Sequence, residues 1–327
     1  MTRLTLKVEH FAFKRPFRIA GHVFSETPVL VAELDDGCNV GRGEGAGVYY
    51  LGDDIDHMLA EAKRVCSAIE AGATRAALQD LLPPGGARNA IDCAFWELEA
   101  RQRQQPVWQL AGLAAPRPLR STLTLGAEAP DAMAAAAMKQ DQAAPIKVKL
   151  TGELALDTAR IVAIRAARPQ AWIGVDANQG YQRTALAELL VVLVAHNIAQ
   201  LEQPLARGRE ADLDGLARPL PFVADESAVT LADTDGLVGR FDVVNIKLDK
   251  CGGLTEGLAI ARRARQLGLD VMVGNMMGSS LSMAPSFVLG QLCDIVDLDG
   301  PTFLTCDRQP GVVYRDGCID CPPGVWG

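Results

Sequence analysis

The chain has 327 residues, 49% of them hydrophobic and 22% charged, and carries a formal net charge of −8. That length buries a large core with room for a smaller second one. The acidic balance argues against nucleic acid or an anionic membrane as partner, because both favour basic proteins.

No apolar run reaches the roughly 18 residues of a membrane span. The start, MTRLTLKVEH, alternates like a strand and lacks the apolar segment of an export signal, so a cytoplasmic location is expected. The eight cysteines then read as reduced thiols. Cys318 and Cys321 form a C-x-x-C pair, but no second pair or histidine completes a zinc site.

In chain order, residues 1–50 read as antiparallel strands. Leu4, Leu6 and Val8 alternate with Thr5 and Lys7, and the apolar run Pro28–Leu34 stops at Asp35-Asp36-Gly37. Between them, Arg18–Glu26 reads as a mobile loop. The glycine-dense stretch Gly41–Gly47 lacks the Lys-Ser/Thr of a phosphate loop. Residues 54–80 and 87–105 read as helices, separated by the Pro-Pro-Gly-Gly break at 83–86. Within Asn89–Arg101, Ile91, Phe95 and Leu98 share one side, which reads as core packing alone.

From about Pro116 short strands alternate with amphipathic helices. The candidate strands are 122–125, 146–150, 173–177, 199–203, 222–224, 243–248, 270–274 and 295–298, at the spacing of one strand–helix unit. Eight such units predict a TIM-type barrel, with an open doubly wound sheet as the rival.

The second of these strands, PIKVKL, puts Lys147 and Lys149 on one face, since strand side chains alternate. Alone it reads as an edge strand with one solvent face. The ends of the later strands overturn that reading. Asp176 ends the third strand, Glu202 the fourth, Asp225 the fifth, Lys247 the sixth, and Asp297 and Asp299 the eighth. Barrel enzymes keep their chemistry at that end of the sheet. Each carboxylate taken singly reads as a helix N-cap. Three on successive strands, flanked by lysines, read instead as a hard-oxygen site suited to Mg²⁺. Burial and a neighbouring cation are expected to lower a lysine there toward general-base duty.

KVK, VDAN, LEQPL, ADES and VNIKLDKCGGLTE, in that order at barrel spacing, resemble the enolase superfamily, muconate-lactonising subgroup, over essentially the whole chain. Asp297-Leu298-Asp299-Gly300-Pro301 is most similar to the dipeptide epimerases within it. The resemblance implies a (β/α)7β modified TIM barrel over 116–302. An N-terminal α+β capping domain, 1–115, would cover it, completed by a helix-free tail at about 303–327. It also implies one Mg²⁺ per subunit on Asp176, Glu202 and Asp225, with Lys149 and Lys247 as the two acid/base catalysts. Lys147 would support Lys149 and the substrate carboxylate, and Asp297 and Asp299 would bind the dipeptide's free α-ammonium. The reaction implied is inversion of the C-terminal residue's α-carbon by 1,1-proton transfer through an enediolate.

One feature departs from the family. Members that prefer glutamate present an arginine from the loop between the first two strands, and residues 20–25 hold none. Phe24 and Tyr50, with Tyr49, suit an apolar side chain instead, and Asn275 in the small, polar 274–280 segment is a further pocket candidate. The alternatives are an N-acyl amino acid racemase, an o-succinylbenzoate synthase or muconate cycloisomerase, and a non-catalytic binding member. In every catalytic reading the partner is a small molecule, in the epimerase and racemase readings a dipeptide or an N-acyl amino acid, and the protein is expected to be a homo-oligomer.

Overall fold

The computed structural model describes residues 2–19 and 21–327. Three antiparallel strands open the chain: β1 (Arg3–Ile19), β2 (His22–Asp35) and β3 (Val40–Ala46). The expected loop at 18–26 is mostly strand. Phe17 pairs with Phe24, Arg18 with Val23 and Ile19 with His22, past a register shift between Ala12 and Phe17. Gly21, at φ 74°, supplies the left-handed backbone that lets a hairpin turn so tightly. Ala20 lies outside the described residues.

The helical stretch at 54–80 divides into α1 (Ile55–Arg64), α2 (Cys66–Glu70) and α3 (Arg75–Leu81). Asp54 and Thr74 each cap a new helix through their side chains, and those caps mark two of the starts. The longest helix, α4 (Gly86–Arg103), lies directly on β3. The glycine-dense stretch explains how. A Cβ on Gly41 would collide with Ala94 O, and one on Gly43 with Ala90 O. Alternate glycines on one strand face are thus a bed for a helix backbone.

After the short α5 (Val107–Leu110) and β4 (Leu119–Arg120), the barrel begins. Its elements run β5 (Leu123–Leu125), α6 (Pro130–Lys139), β6 (Ile146–Lys149), α7 (Leu154–Ala167), β7 (Ile173–Asp176), α8 (Arg183–Ala195), β8 (Gln200–Glu202) and β9 (Phe222–Ala224). Then come β10 (Val243–Ile246), α9 (Leu248–Cys251), α10 (Leu254–Gln266), β11 (Asp270–Val273), α11 (Ser280–Gly290) and β12 (Ile295–Val296). Strands β5 to β12 form one parallel sheet in sequence order, and Thr122 N donates to Val296 O at 2.9 Å across the seam.

Both faces of the strands are covered, as parallel sheets require. In β6, Ile146 and Val148 belong to the main apolar core, each burial worth about 1.5–3 kcal/mol. Lys147 and Lys149, on the other face, are buried inside the barrel. In a sheet closed this way β6 has a partner on each side, so it is no edge.

The tail contains one 3-10 turn, Gly300–Phe303, where no helix was expected; Pro301 in its first turn favours it. Its hairpin, β13 (Val313–Arg315) and β14 (Cys318–Asp320), pairs with β4. Other tail residues reach the N-terminal strands: Arg308 pairs with Glu9 and Glu44, and Trp326 Nε1 donates to Arg42 O at 2.8 Å. Among the described residues no helix is long and apolar enough to cross a membrane.

Candidate active site

Strand register builds the site. Lys149 on β6 sits opposite Asp176 on β7, which in turn sits opposite Glu202 on β8. The next strand end adds Asp225, and one ligand oxygen from each of Asp176, Glu202 and Asp225 lies within 4.8 Å of the others. All three carboxylates are fully buried.

Each carboxylate is held by its neighbours. Asp176 accepts Lys149 Nζ on Oδ2 at 2.6 Å and Asn178 N on Oδ1 at 2.9 Å. Glu202 Oε1 accepts Lys147 Nζ at 3.0 Å and Asn245 Nδ2 at 2.9 Å. Its Oε2 stands 2.8 Å from Lys147 Nζ but takes no hydrogen bond. Asp225 Oδ2 accepts Lys247 Nζ at 2.7 Å. Gln203, at the end of β8, accepts the Asp225 backbone N–H at 3.0 Å and so fixes the approach of β9.

The electrostatics follow from crowding. Burial and the Asp176 charge push the Glu202 carboxyl up to about 7, against the pull of Lys147. Burial works the same way at Asp176, but Lys149 and Lys147 overcome it and hold that carboxyl at about 2. At Asp225 burial is overcome by Lys247 and Lys250, which hold it well below the usual carboxylate range. The lysines bring a correction. Burial does draw Lys247 down, as expected, yet Asp225 and its fellow carboxylates hold it above its ordinary value. Burial is the largest single influence on Lys147 and draws it down, yet Asp297, Glu202 and Asp176 together hold it well above its ordinary value.

Opposite the trio, Asp297 and Asp299 follow β12. Asp297 accepts Lys147 Nζ at 2.8 Å and the Thr122 hydroxyl, while Asp299 Oδ2 accepts Thr124 N at 2.6 Å. Burial and Asp297 push the Asp299 carboxyl up to about 7. Asn275 Nδ2 donates to Asp297 O at 2.6 Å.

One cavity of about 270 Å³ collects these groups. Lys147, Lys149, Asp225, Lys247, Asp297, Asp299 and Asn275 line it, and Phe24 and Tyr50 come down from the N-terminal strands and the turn after β3. Asp176 and Glu202 join through the carboxylate trio. The outer wall is aromatic: Phe24 and Tyr49 centroids lie 5.5 Å apart, and Tyr49 and Tyr50 lie 5.2 Å apart edge-on. Met276 and Met277 add to it from the segment that reads as small and polar in sequence. Its arginine-free character extends past residues 20–25. Among the described residues no arginine lines the cavity, and Arg18 pairs with Glu128 at 3.2 Å.

Several contributors are not identifiable from strand-end spacing. Lys250 is buried three residues beyond Lys247 and also binds Asp225. Glu226 follows Asp225 and bonds Asn178 at 3.4 Å. The α4 helix does more than pack a core. Asn89 Nδ2 donates to Asp249 at 2.8 Å, Asp92 accepts Thr255 N at 3.0 Å, and Arg88 reaches Cys251 O at 2.5 Å. A polar residue every three or four positions opposite Ile91 and Leu98 is the signal that shows a second buried face.

The residues present fit a hard divalent cation. Three buried carboxylates supply oxygen donors, and two buried acceptors beside them, Asn178 Oδ1 and Glu226 Oε2, take no hydrogen bond from the protein. Ordered waters on such an ion need acceptors of that kind.

Comparison with known proteins agrees with this geometry. Residues 2–112 match the mandelate racemase / muconate lactonizing enzyme N-terminal domain, and residues 131–324 match the enolase C-terminal domain-like family. The chain belongs to the enolase superfamily. Within that superfamily it is 39% identical over 317 residues to the L-Ala-D/L-Glu epimerase of Escherichia coli (strain K12), covering 96% of this chain and 98% of that one. It is 40% identical over 240 residues to an N-acetyl-D-glutamate racemase of Pseudoalteromonas sp, covering 73% and 75%. An enolase family member from Agrobacterium tumefaciens, solved with sodium and L-Ala-L-Glu, superposes with a TM-score of 0.95 at 36% identity, over 100% of both chains. A dipeptide epimerase from Enterococcus faecalis V583, complexed with Mg and L-Leu-L-Tyr, superposes with a TM-score of 0.89 at 26% identity, over 95% and 94%.

Proposed function

We propose that this protein is an Mg²⁺-dependent dipeptide epimerase that inverts the α-carbon of the C-terminal residue. The observation that carries the reading is the pairing of Lys149 with Asp176 and of Lys247 with Asp225, around three buried carboxylates in one cavity. Asp176, Glu202 and Asp225 would hold the ion, which supplies positive charge against the charge that develops on the substrate carboxylate.

The remaining chemistry belongs to side chains. Lys149 and Lys247 come from β6 and β10, four strands apart in the sheet, so they approach the α-carbon from different sides. One removes the α-proton and the other returns a proton to the opposite face, which inverts the centre. Reversibility exchanges their roles. Lys147 supports Lys149 and the carboxylate, and its charge offsets the trio. Asp297 and Asp299 receive the α-ammonium of the first residue, and Asn275 steadies the Asp297 backbone. The aromatic wall of Phe24, Tyr49 and Tyr50, with no arginine to pair an acidic side chain, favours an apolar C-terminal residue.

In this reading residues 1–115 and 303–327 form a cap over the barrel at 116–302. The net charge of −8 supports small molecules rather than nucleic acid or an anionic membrane as partners. A cytoplasmic homo-oligomer completes the proposal.

A second reading is racemisation of N-acyl amino acids, which the 40% identity to an N-acetyl-D-glutamate racemase favours. It leaves Asp297 and Asp299 with no ammonium to pair. Incubation with Mg²⁺ in D₂O, with dipeptides and N-acyl amino acids read by mass spectrometry, separates the two. The epimerase reading expects one deuteron and inversion at the C-terminal α-carbon of apolar dipeptides. Uptake with N-acyl amino acids alone would contradict it.

A further inference from the structure

Lys250 is a buried cation that the proposed chemistry does not use. It is 1% exposed and sits on the short helix α9, whose start Lys247 caps directly after β10. Its ammonium donates to Asp225 Oδ1 at 2.6 Å, to Asp225 O at 2.5 Å and to Asn245 O at 3.0 Å. A lysine has three protons to give, and all three are placed. The charge has no route to solvent and no spare donor for a substrate.

The effect is on Asp225. With Lys250 on Oδ1 and Lys247 on Oδ2, each oxygen of this carboxylate has its own ammonium, so its plane is set from both ends. Asp176 receives the same service from Lys149 and a backbone N–H, that of Asn178. The end of β9 uses a lysine where β7 uses its own backbone. The turn that carries Lys250 is itself fixed from outside the barrel. Asp249 accepts Ala46 N and Asn89 Nδ2, each at 2.8 Å, and Arg88 holds Cys251 O and Gly252 O.

We propose that Lys250 is a positioning residue that orients Asp225 for the metal ion. The inference rests on the reading of Asp225 as a metal ligand. Groups that orient a ligand in this way typically change metal affinity 10–100-fold when removed.

The test is Mg²⁺ titration by calorimetry on the wild type and on Lys250→Met, each checked for native circular dichroism. The expected result is Mg²⁺ affinity weakened about 10-fold or more in the variant, with turnover partly recovered at saturating Mg²⁺. A folded variant that binds within twofold of wild type would overturn the proposal. A wild type that takes up no Mg²⁺ would overturn the metal reading on which it rests. If Lys250→Met does not fold, the double variant Lys250→Met/Asp225→Asn decides. Recovery of folding would mean that Asp225 is the charge Lys250 serves, and continued misfolding would mean that it is not.

Discussion

The two halves of the site reach the same end by different means. On the β6–β7 side, Lys149 binds Asp176, and the other oxygen of Asp176 is held by a backbone N–H. On the β9–β10 side, Lys247 binds Asp225, and a second buried lysine holds the other oxygen. The first half is closed within the sheet. The second leans on the turn after β10, which Arg88 and Asn89 brace from α4 while Asp92 holds the start of α10 that follows it. The difference shows that a pair of acid/base groups can share a role without sharing a support.

The largest effect should leave the two halves alike. Lys149→Ala or Lys247→Ala should each lower epimerisation by about a hundred- to ten-thousandfold, the range typical of a lost acid/base group, in an assay of optical rotation or chiral chromatography. Retention of full activity by either variant would break the pairing.

The second effect should separate the halves. Asp225→Asn leaves Lys247 and Lys250 buried without their carboxylate, and should cost about 3–5 kcal/mol of unfolding free energy in urea. Asp176→Asn should cost clearly less, because it leaves one buried lysine, Lys149, without its carboxylate instead of two, while Lys147 keeps Glu202 and Asp297 beside it. Equal losses would mean that the halves are built alike after all.

The smallest effect probes the α4 brace. Burial pushes the Asp92 carboxyl up to about 6 from an ordinary 3.8, against the hydrogen bonds from Thr255. The folded state therefore binds this proton more tightly than the unfolded chain. Its stabilising contribution is complete below about pH 4 and is lost as pH rises through about 6. Asp92→Asn cannot ionise. Between pH 4 and pH 7 the wild type should lose about 3 kcal/mol relative to the variant, read from paired urea titrations. A pH-independent difference would remove Asp92 as a buried acid.

These supports were unequally visible in the sequence. Lys147, Lys149, Asp176, Glu202, Asp225 and Lys247 stand at strand ends in a repeating frame, and that frame converts directly into one face of a barrel. The strands themselves were legible as short apolar runs at regular spacing, such as Val243–Ile246, and Ile146-Lys147-Val148-Lys149 adds a charged face by alternation. Lys250 lies one helical turn past its strand, where a lysine ordinarily faces water, and only the closure of β9 on β10 shows what it touches. Asp92 and Asn89 share a helix whose apolar residues satisfy a core reading without them. The hairpin at 18–26 was hidden because its few apolar residues, Ile19 and Phe24 among them, are buried only by distant partners such as Tyr49 and Leu304, which the local sequence does not show. The glycines of β3 were visible as a composition, but their purpose depends on a helix that arrives from 40 residues further along the chain.

The two-base claim is tested most directly by α-proton exchange in D₂O, measured separately on the L,L and L,D forms of one apolar dipeptide with each lysine variant. Lys149→Ala should exchange the proton of one stereoisomer only, and Lys247→Ala that of the other only. Exchange of both stereoisomers by either variant, or of the same one by both, would contradict the two-base claim.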